Sequence, residues 1–185
     1  EDMTVIGHGL PVHTGGFTNN FEYKGFDLSV FFQWSYGNDV INYNRAKLEN
    51  MNGVRHTNML ASAKDHWTPR IDNGDGTYAA GNYTNYLWRV DGGLSDINTS
   101  RVVEDASFLR LKNVQLGYNF PVKLIRKFKL SSLRLYLSGQ NLWTWTKYTG
   151  YDPEVSTRNS AMTRGFDYSA YPRTTSFTFG VKLGL

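Results

Sequence analysis

The chain has 185 residues, with 20 Lys and Arg against 16 Asp and Glu for a formal net charge of +4, and it contains no cysteine. The missing thiols exclude a disulfide framework, a cysteine-type zinc site and thiol catalysis. The basic residues are scattered rather than gathered on one periodic face, which argues against nucleic-acid binding.

Hydrophobic residues make up 40% of the chain and aromatics 15%, with 18 Gly, a balance that favours an all-β chain. A mean hydropathy of -0.47 and the lack of any apolar run near ~20 residues exclude a transmembrane helix. A transmembrane barrel survives that test, because its strands need only about 9 to 11 residues and bury a single face in lipid. No basic n-region or apolar h-region opens the chain, which fits a cytoplasmic protein and equally a piece of a longer exported one.

Glu1 to His13 is Gly-rich and irregular. From Gly15 to Tyr23 the residues alternate, with Phe17, Phe21 and Tyr23 on one side and Thr18, Asn20 and Glu22 on the other. Lys24-Gly25 predicts a tight hairpin turn, the glycine supplying the positive φ such turns need. The return strand has Phe26, Leu28, Val30, Phe32, Trp34 and Tyr36 facing one way and Asp27, Ser29, Gln33 and Ser35 the other. That is about twice the modal length of a soluble strand, and a long strand with one unbroken apolar face suits a bilayer.

Between Asp39 and about Glu104 the period of two disappears. Asn42 to Met51 and Thr57 to Trp67 read as short helices, the second stopped by Thr68-Pro69. A run of turn formers follows from Asp72 to Gly93, carrying Tyr78, Tyr83, Tyr86 and Trp88. A connection this long is uncommon in a compact domain and reads as a functional loop. Asp72 and Asp75 lack the alternating oxygen ligands and distal Glu of a calcium loop, so a plain turn is expected there.

Ser107 to Phe120 is strand again, but its phase slips from Leu109 and Leu111 to Val114, Leu116, Tyr118 and Phe120, which predicts a bulge near Lys112-Asn113. Pro121 to Lys129 is a short connection with Lys123, Arg126, Lys127 and Lys129, read as a solvated turn. In the strand from Leu130 to Thr146, Leu133, Leu135, Leu137, Trp143 and Trp145 share one parity and Arg134, Tyr136, Ser138, Gln140, Thr144 and Thr146 the other; Leu142 alone is out of phase. Lys147 to Tyr171 forms a second long loop, and Pro172 to Leu185 closes the chain with Phe177, Phe179, Val181, Leu183 and Leu185 on one side.

Two architectures fit this alternation: a soluble sandwich whose apolar face looks into a core, and an inside-out barrel with lipid outside and water within. Trp143, Trp145 and Tyr148 lie where the apolar face runs out, and such amphipathic rings suit a membrane interface. Periodicity alone leaves the two level.

DASFLRLKNVQLGYNFP at Asp105 to Pro121, SGQNLWTWTKYTGYDPEV at Ser138 to Val155 and AYPRTTSFTFGVKLGL at Ala170 to Leu185 together resemble the C-terminal end of the SusC/RagA family. These are TonB-dependent outer-membrane transporters of Bacteroidetes-type bacteria. The resemblance implies an all-β fold, the last five or so strands of a barrel of roughly 22 strands. The plug and TonB box would lie upstream, the long loops near 39–106 and 147–171 outside the cell, and the C-terminus near the periplasmic side. It further implies import of an oligosaccharide or oligopeptide, with a SusD-like surface lipoprotein as lid, TonB as energy source, outer-membrane lipid around the wall and no cofactor. Phe177, Phe179, Gly180, Val181, Leu183 and Leu185 resemble the terminal strand by which such barrels are recognised for assembly, with Leu185 standing where an aromatic is commoner.

In the first long loop Trp67, Tyr83, Tyr86 and Trp88 are candidates for stacking on sugar rings or anchoring the lid, against the plainer reading that they pack the loop onto itself. His8, His13, His56 and His66 lie in loop-like sequence with no HExxH pair, no nucleophile elbow or phosphate loop appears, and the carboxylates show no placed pair. The chain therefore reads as no enzyme. The competing functions are a secreted β-sandwich that binds carbohydrate and a passive porin or autotransporter barrel.

Overall fold

Alternating side chains put one face of each long strand in an apolar medium and the other in a polar one, and the pairing of those strands shows whether the faces add up. In the structure, a computed structural model that describes residues 4–49, 58–66, 68–81, 99–157 and 164–185, the elements run in chain order as follows. β1 (His13–Tyr23) and β2 (Phe26–Tyr36) form a hairpin, followed by β3 (Asp39–Asn42) and α1 (Tyr43–Glu49). β4 (Ile71–Asp72) and β5 (Tyr78–Ala79) make a small hairpin, and β6 (Val103–Asp105) leads into β7 (Phe108–Asn119). α2 (Val122–Ile125) connects to β8 (Ser132–Thr146), β9 (Phe166–Asp167) lies in the next loop, and β10 (Ser176–Gly184) comes last.

The five long strands make one sheet in the order β1-β2-β7-β8-β10, antiparallel at every joint. Its register aligns the apolar sets across all five strands. Phe21, Leu28, Leu116, Leu137 and Phe179 form one transverse row, and Tyr23, Phe26, Tyr118, Leu135 and Val181 the next. On the reverse face Asn20, Ser29, Gln115, Ser138 and Thr178 form the matching polar row.

No second layer covers the apolar face among the described residues. Leu137 is 52% exposed and Phe179 68%. Of the eight buried hydrophobic side chains among the described residues only Phe108 belongs to the sheet; the rest lie in the connections, where Val40, Ala106 and Tyr148 form a small core. A soluble sandwich would seal those rows inside, because burying them supplies its main driving force. Here they face outward.

Local chemistry explains the joints. The β1-β2 turn is two residues long, with Lys24 at φ +47° and Gly25 at φ +89°, the double positive φ of a type I′ turn. A side chain at Gly25 would also meet the Asn119 carbonyl at 2.8 Å. The phase slip in β7 is a bulge: opposite Phe31 and Phe32 stand Asn113 and Leu111, leaving Lys112 unpaired. β8 answers with an extra residue of its own between Gln140 and Trp143, where Asn141 takes φ +51° and Leu142 folds over Gly139. That accommodates the out-of-phase leucine.

Three short turns or ends close one edge of the sheet: Lys24-Gly25, the segment around α2, and Gly184-Leu185. The long connections all leave from the other. They hold a second, three-stranded sheet in the order β6-β3-β9, with β3 and β9 parallel. Strands this short contain too few alternations for a period to register, so the sequence reads as structureless here. The first expected helix is present as α1; the second is a five-residue 3-10 helix, Ala61–Asp65, flanked by extended residues at Leu60 and His66. DNGDG is the β4-β5 turn, with Asp72 and Asp75 each accepting a backbone N–H two residues on, at 2.8 Å.

Candidate functional site

The polar face of the sheet carries an arginine where a strand should offer only small polar groups. Arg110 of β7 is 2% exposed. Burying a guanidinium requires that each of its forks find an acceptor. After β8 the chain turns back over this face and supplies them from the segment Tyr151-Asp152-Pro153-Glu154. Arg110 Nη2 donates to Asp152 Oδ1 at 2.5 Å, Nη1 to Glu154 Oε2 at 3.1 Å, and Nε to Thr144 Oγ1 at 3.0 Å. The guanidinium also lies 5.1 Å from the Phe108 ring centroid.

The carboxylates are held in turn. Asp152 accepts the backbone N–H of Glu154 at 3.0 Å and of Arg173 at 3.1 Å, and Arg173 Nε pairs with Glu154 at 2.9 Å. Gln33 on β2 donates to Glu154 at 3.4 Å and accepts from Lys112 Nζ at 2.6 Å. Burial alone would push the Asp152 carboxyl up, but the Glu154 N–H, Arg110 and the Arg173 N–H together hold it below its ordinary value. The second long loop is thereby fastened to the wall at both of its ends. Between it and β2 lies an open cleft of about 510 Å³, lined among others by Gln33, Asn38, Ser156, Arg164 and Arg173.

A second network stands at the base of the first long loop. Glu104 accepts from the Thr149 N–H at 2.9 Å, from Asn42 Nδ2 at 3.2 Å and from Arg45 Nη1 at 3.2 Å; Arg45 and Arg101 both pair with Glu49. Asp105, which accepts the Ser107 N–H at 2.9 Å, is held below its ordinary value by its hydrogen bonds to that residue.

The residues singled out from sequence fall in three groups. Trp67, Tyr83, Tyr86 and Trp88 lie outside the described residues. Trp143 and Trp145 stand exposed on the apolar face, opposite Leu111 and Leu109. Tyr148 does not join them. It is 5% exposed, with its hydroxyl donating to the buried Asp167 at 2.6 Å, and burial followed by that carboxylate raises its pKa, so the phenol stays neutral. The expectation of a surface ring, which rested on its closeness to Trp143 and Trp145 in sequence, fails because β8 ends at Thr146 and the chain then turns Tyr148 into the core of the connections. In the last strand Phe177, Phe179, Val181 and Leu183 share the apolar face with Leu135 and Leu137, while Gly180 is the seat of the Tyr136 ring, where a Cβ would come within 2.1 Å.

Arg110, Asp152, Glu154 and Arg173 were not legible as a unit. A charged residue at a strand position flanked by leucines was the available signal, and the acidic pair lay 42 and 44 residues further on. The arrangement binds and orients a loop; the acids face a cation rather than each other.

No protein-family model matches the chain. It is 38% identical to TonB-dependent receptor P3 of Formosa agariphila over 98% of its own length and 17% of that protein's. With TonB-dependent receptor SusC of Bacteroides thetaiotaomicron it shares 28% over 91% of the chain and 14% of the relative. The structure of the RagAB peptide transporter superposes with a TM-score of 0.76 at 29% identity, over 95% of this chain and 17% of that one. Over nearly its whole length the chain is similar to one segment of TonB-dependent receptors. It spans about a sixth of the length of these relatives, which are receptors and transporters rather than enzymes. A sheet that forms part of a barrel wall needs no partner layer over its apolar face.

Proposed function

We propose that this chain forms part of the wall of an outer-membrane importer that draws energy from TonB and works with a SusD-like surface lipoprotein. One observation carries the reading: an uncovered apolar face spans five aligned strands and is backed by a polar face. Ten rises of about 3.3 Å along β2 give roughly 33 Å, and a strand tilt near 40° reduces that to about 25 Å, the height of the apolar band of outer-membrane barrels. Rings stand at both limits: Tyr23, Phe26 and Tyr118 at one, Trp34, Trp143 and Trp145 at the other.

Short turns face the periplasm and long loops the outside in such barrels. The end bearing Lys24-Gly25 and Leu185 is then periplasmic, and the loops at 37–107 and 147–175 meet ligand and lid. The imported molecule is an oligosaccharide or an oligopeptide; the RagAB relative is a peptide transporter. Removing Asp72 to Gly93 is expected to lower uptake or recovery of the lipoprotein while the barrel still assembles. Unchanged uptake with unchanged lipoprotein recovery would contradict the loop assignment, and uptake that persists without TonB would favour a passive pore.

A further inference from the structure

One feature of the short-turn end is not used by the wall or by the cargo. Between β7 and β8 the chain makes α2 and a 3-10 turn, Arg126–Phe128, closed by Lys129 at φ +60°, whose N–H donates to the Arg126 carbonyl at 3.0 Å. Ile125 is buried and pins the turn. The other apolar side chains point away from any protein: Phe128 is 75% exposed, and Leu124 and Val122 are exposed beside it. Interleaved with them are Lys123, Arg126, Lys127 and Lys129, all exposed. None of these four side chains makes an ion pair or hydrogen bond with the described residues.

A merely solvated turn has no use for exposed Phe and Leu, and a packed one would bury them. A turn with both features is matched to a boundary, where hydrocarbon takes the apolar side chains and headgroup phosphates take the cations. The turn is also continuous with the outward face of the sheet. The rings of Phe26 and Tyr118 lie 4.5 Å apart and those of Tyr118 and Phe120 4.8 Å, and Pro121 follows directly. Four cations within seven residues are the density at which anionic lipid is preferred over neutral lipid.

We infer that the segment from Val122 to Lys129 is a docking site for an anionic phospholipid of the leaflet at the short-turn end, with Leu124 and Phe128 in the acyl boundary and the four cations on the headgroup phosphates. The inference rests on the proposed lipid contact of the apolar face. It is tested on the full-length receptor in nanodiscs of phosphatidylcholine carrying a minority of phosphatidylglycerol, by native mass spectrometry of the lipids that remain bound. Wild-type protein is expected to retain phosphatidylglycerol out of proportion to its share, and raised salt to erase the preference. The variant K123Q/R126Q/K127Q/K129Q is expected to lose it by roughly tenfold or more, since each basic residue near an anionic surface is worth about fivefold in binding. The variant L124S/F128S is expected to release both lipids more readily.

Retention in proportion to the bulk lipid, or a preference that ignores both salt and the Gln substitutions, would overturn the inference, as would a turn that captures a periplasmic protein with no lipid preference. If the Gln variant does not assemble, the salt series on wild-type protein decides. Absence of the lipid preference in a wild-type receptor that inserts and imports defeats this inference alone. A receptor recovered outside the membrane fraction defeats the wall assignment as well.

Discussion

At the scale of single residues, Arg110 is the side chain whose removal should matter most. Its two carboxylate partners are partly or wholly out of water, and a buried pair broken on one side costs about 3–5 kcal/mol because the remaining charge has nowhere to go. Arg110→Ala is therefore expected to free the segment around Asp152 from the wall without unfolding the strands, read as faster hydrogen exchange at 151–156 and new cleavage there by an added protease. Protection equal to wild type would show that the clamp holds nothing.

The acid limb of this contact follows from Asp152. Its folded pKa lies below the ordinary value of about 3.9, so its contribution is fully present above that value and is lost only as pH falls through the lower folded one. Loop protection should be flat from neutral pH to about 4 and fall below it. A fall centred near pH 6 would mean a different group controls the loop. Tyr148→Phe removes the donor from Asp167, whose other oxygen already lacks a partner among the described residues, and should cost roughly 1–3 kcal/mol in the loop base. A thermal shift indistinguishable from wild type would argue against it.

At the scale of elements, the two faces of the sheet make opposite demands. Arginine at Leu137, in the middle of the outward row, should impair assembly, since a cation near the bilayer midplane costs about 2–4 kcal/mol on the lipid face of such a barrel. Arginine at Gln115, on the inward row, should leave the yield of heat-resistant barrel near wild type. Equal effects at the two sites would remove the distinction between the faces. The long strands were legible because alternation over about ten residues leaves little ambiguity, and the β7 bulge because its two apolar sets change parity at one point. The small sheet was not legible, because β3, β6 and β9 hold two to four residues each and are specified by contacts across the chain. Tyr148 was misplaced for a related reason: closeness in sequence to Trp143 and Trp145 says nothing of the partners, Asp167, Val40 and Ala106, that bury it once the strand has ended. The Arg110 clamp joins positions 42 residues apart, a distance over which residue type alone carries no register.

At the scale of the whole molecule, the described chain is an open five-stranded sheet with one uncovered apolar face rather than a sealed domain. Its buried hydrophobic side chains lie almost entirely in the connections, while the sheet turns its apolar rows outward. Rows that the described residues leave uncovered call for another apolar medium, and five aligned strands over a height of about 25 Å match the apolar band of a bilayer. The proposed function adds what this length of chain does not express by itself: a barrel that closes, a source of energy and a cargo.

The most direct test of the central claim uses the absence of cysteine from this segment. Single cysteines carrying a fluorophore, placed in turn at Leu28, Leu116, Leu137 and Phe179 and then at Ser29, Gln115, Ser138 and Thr178, would be read in membranes with brominated acyl chains. Strong quenching at the first four and little at the second four is the predicted result. Quenching that fails to alternate, or that favours the second set, would contradict it.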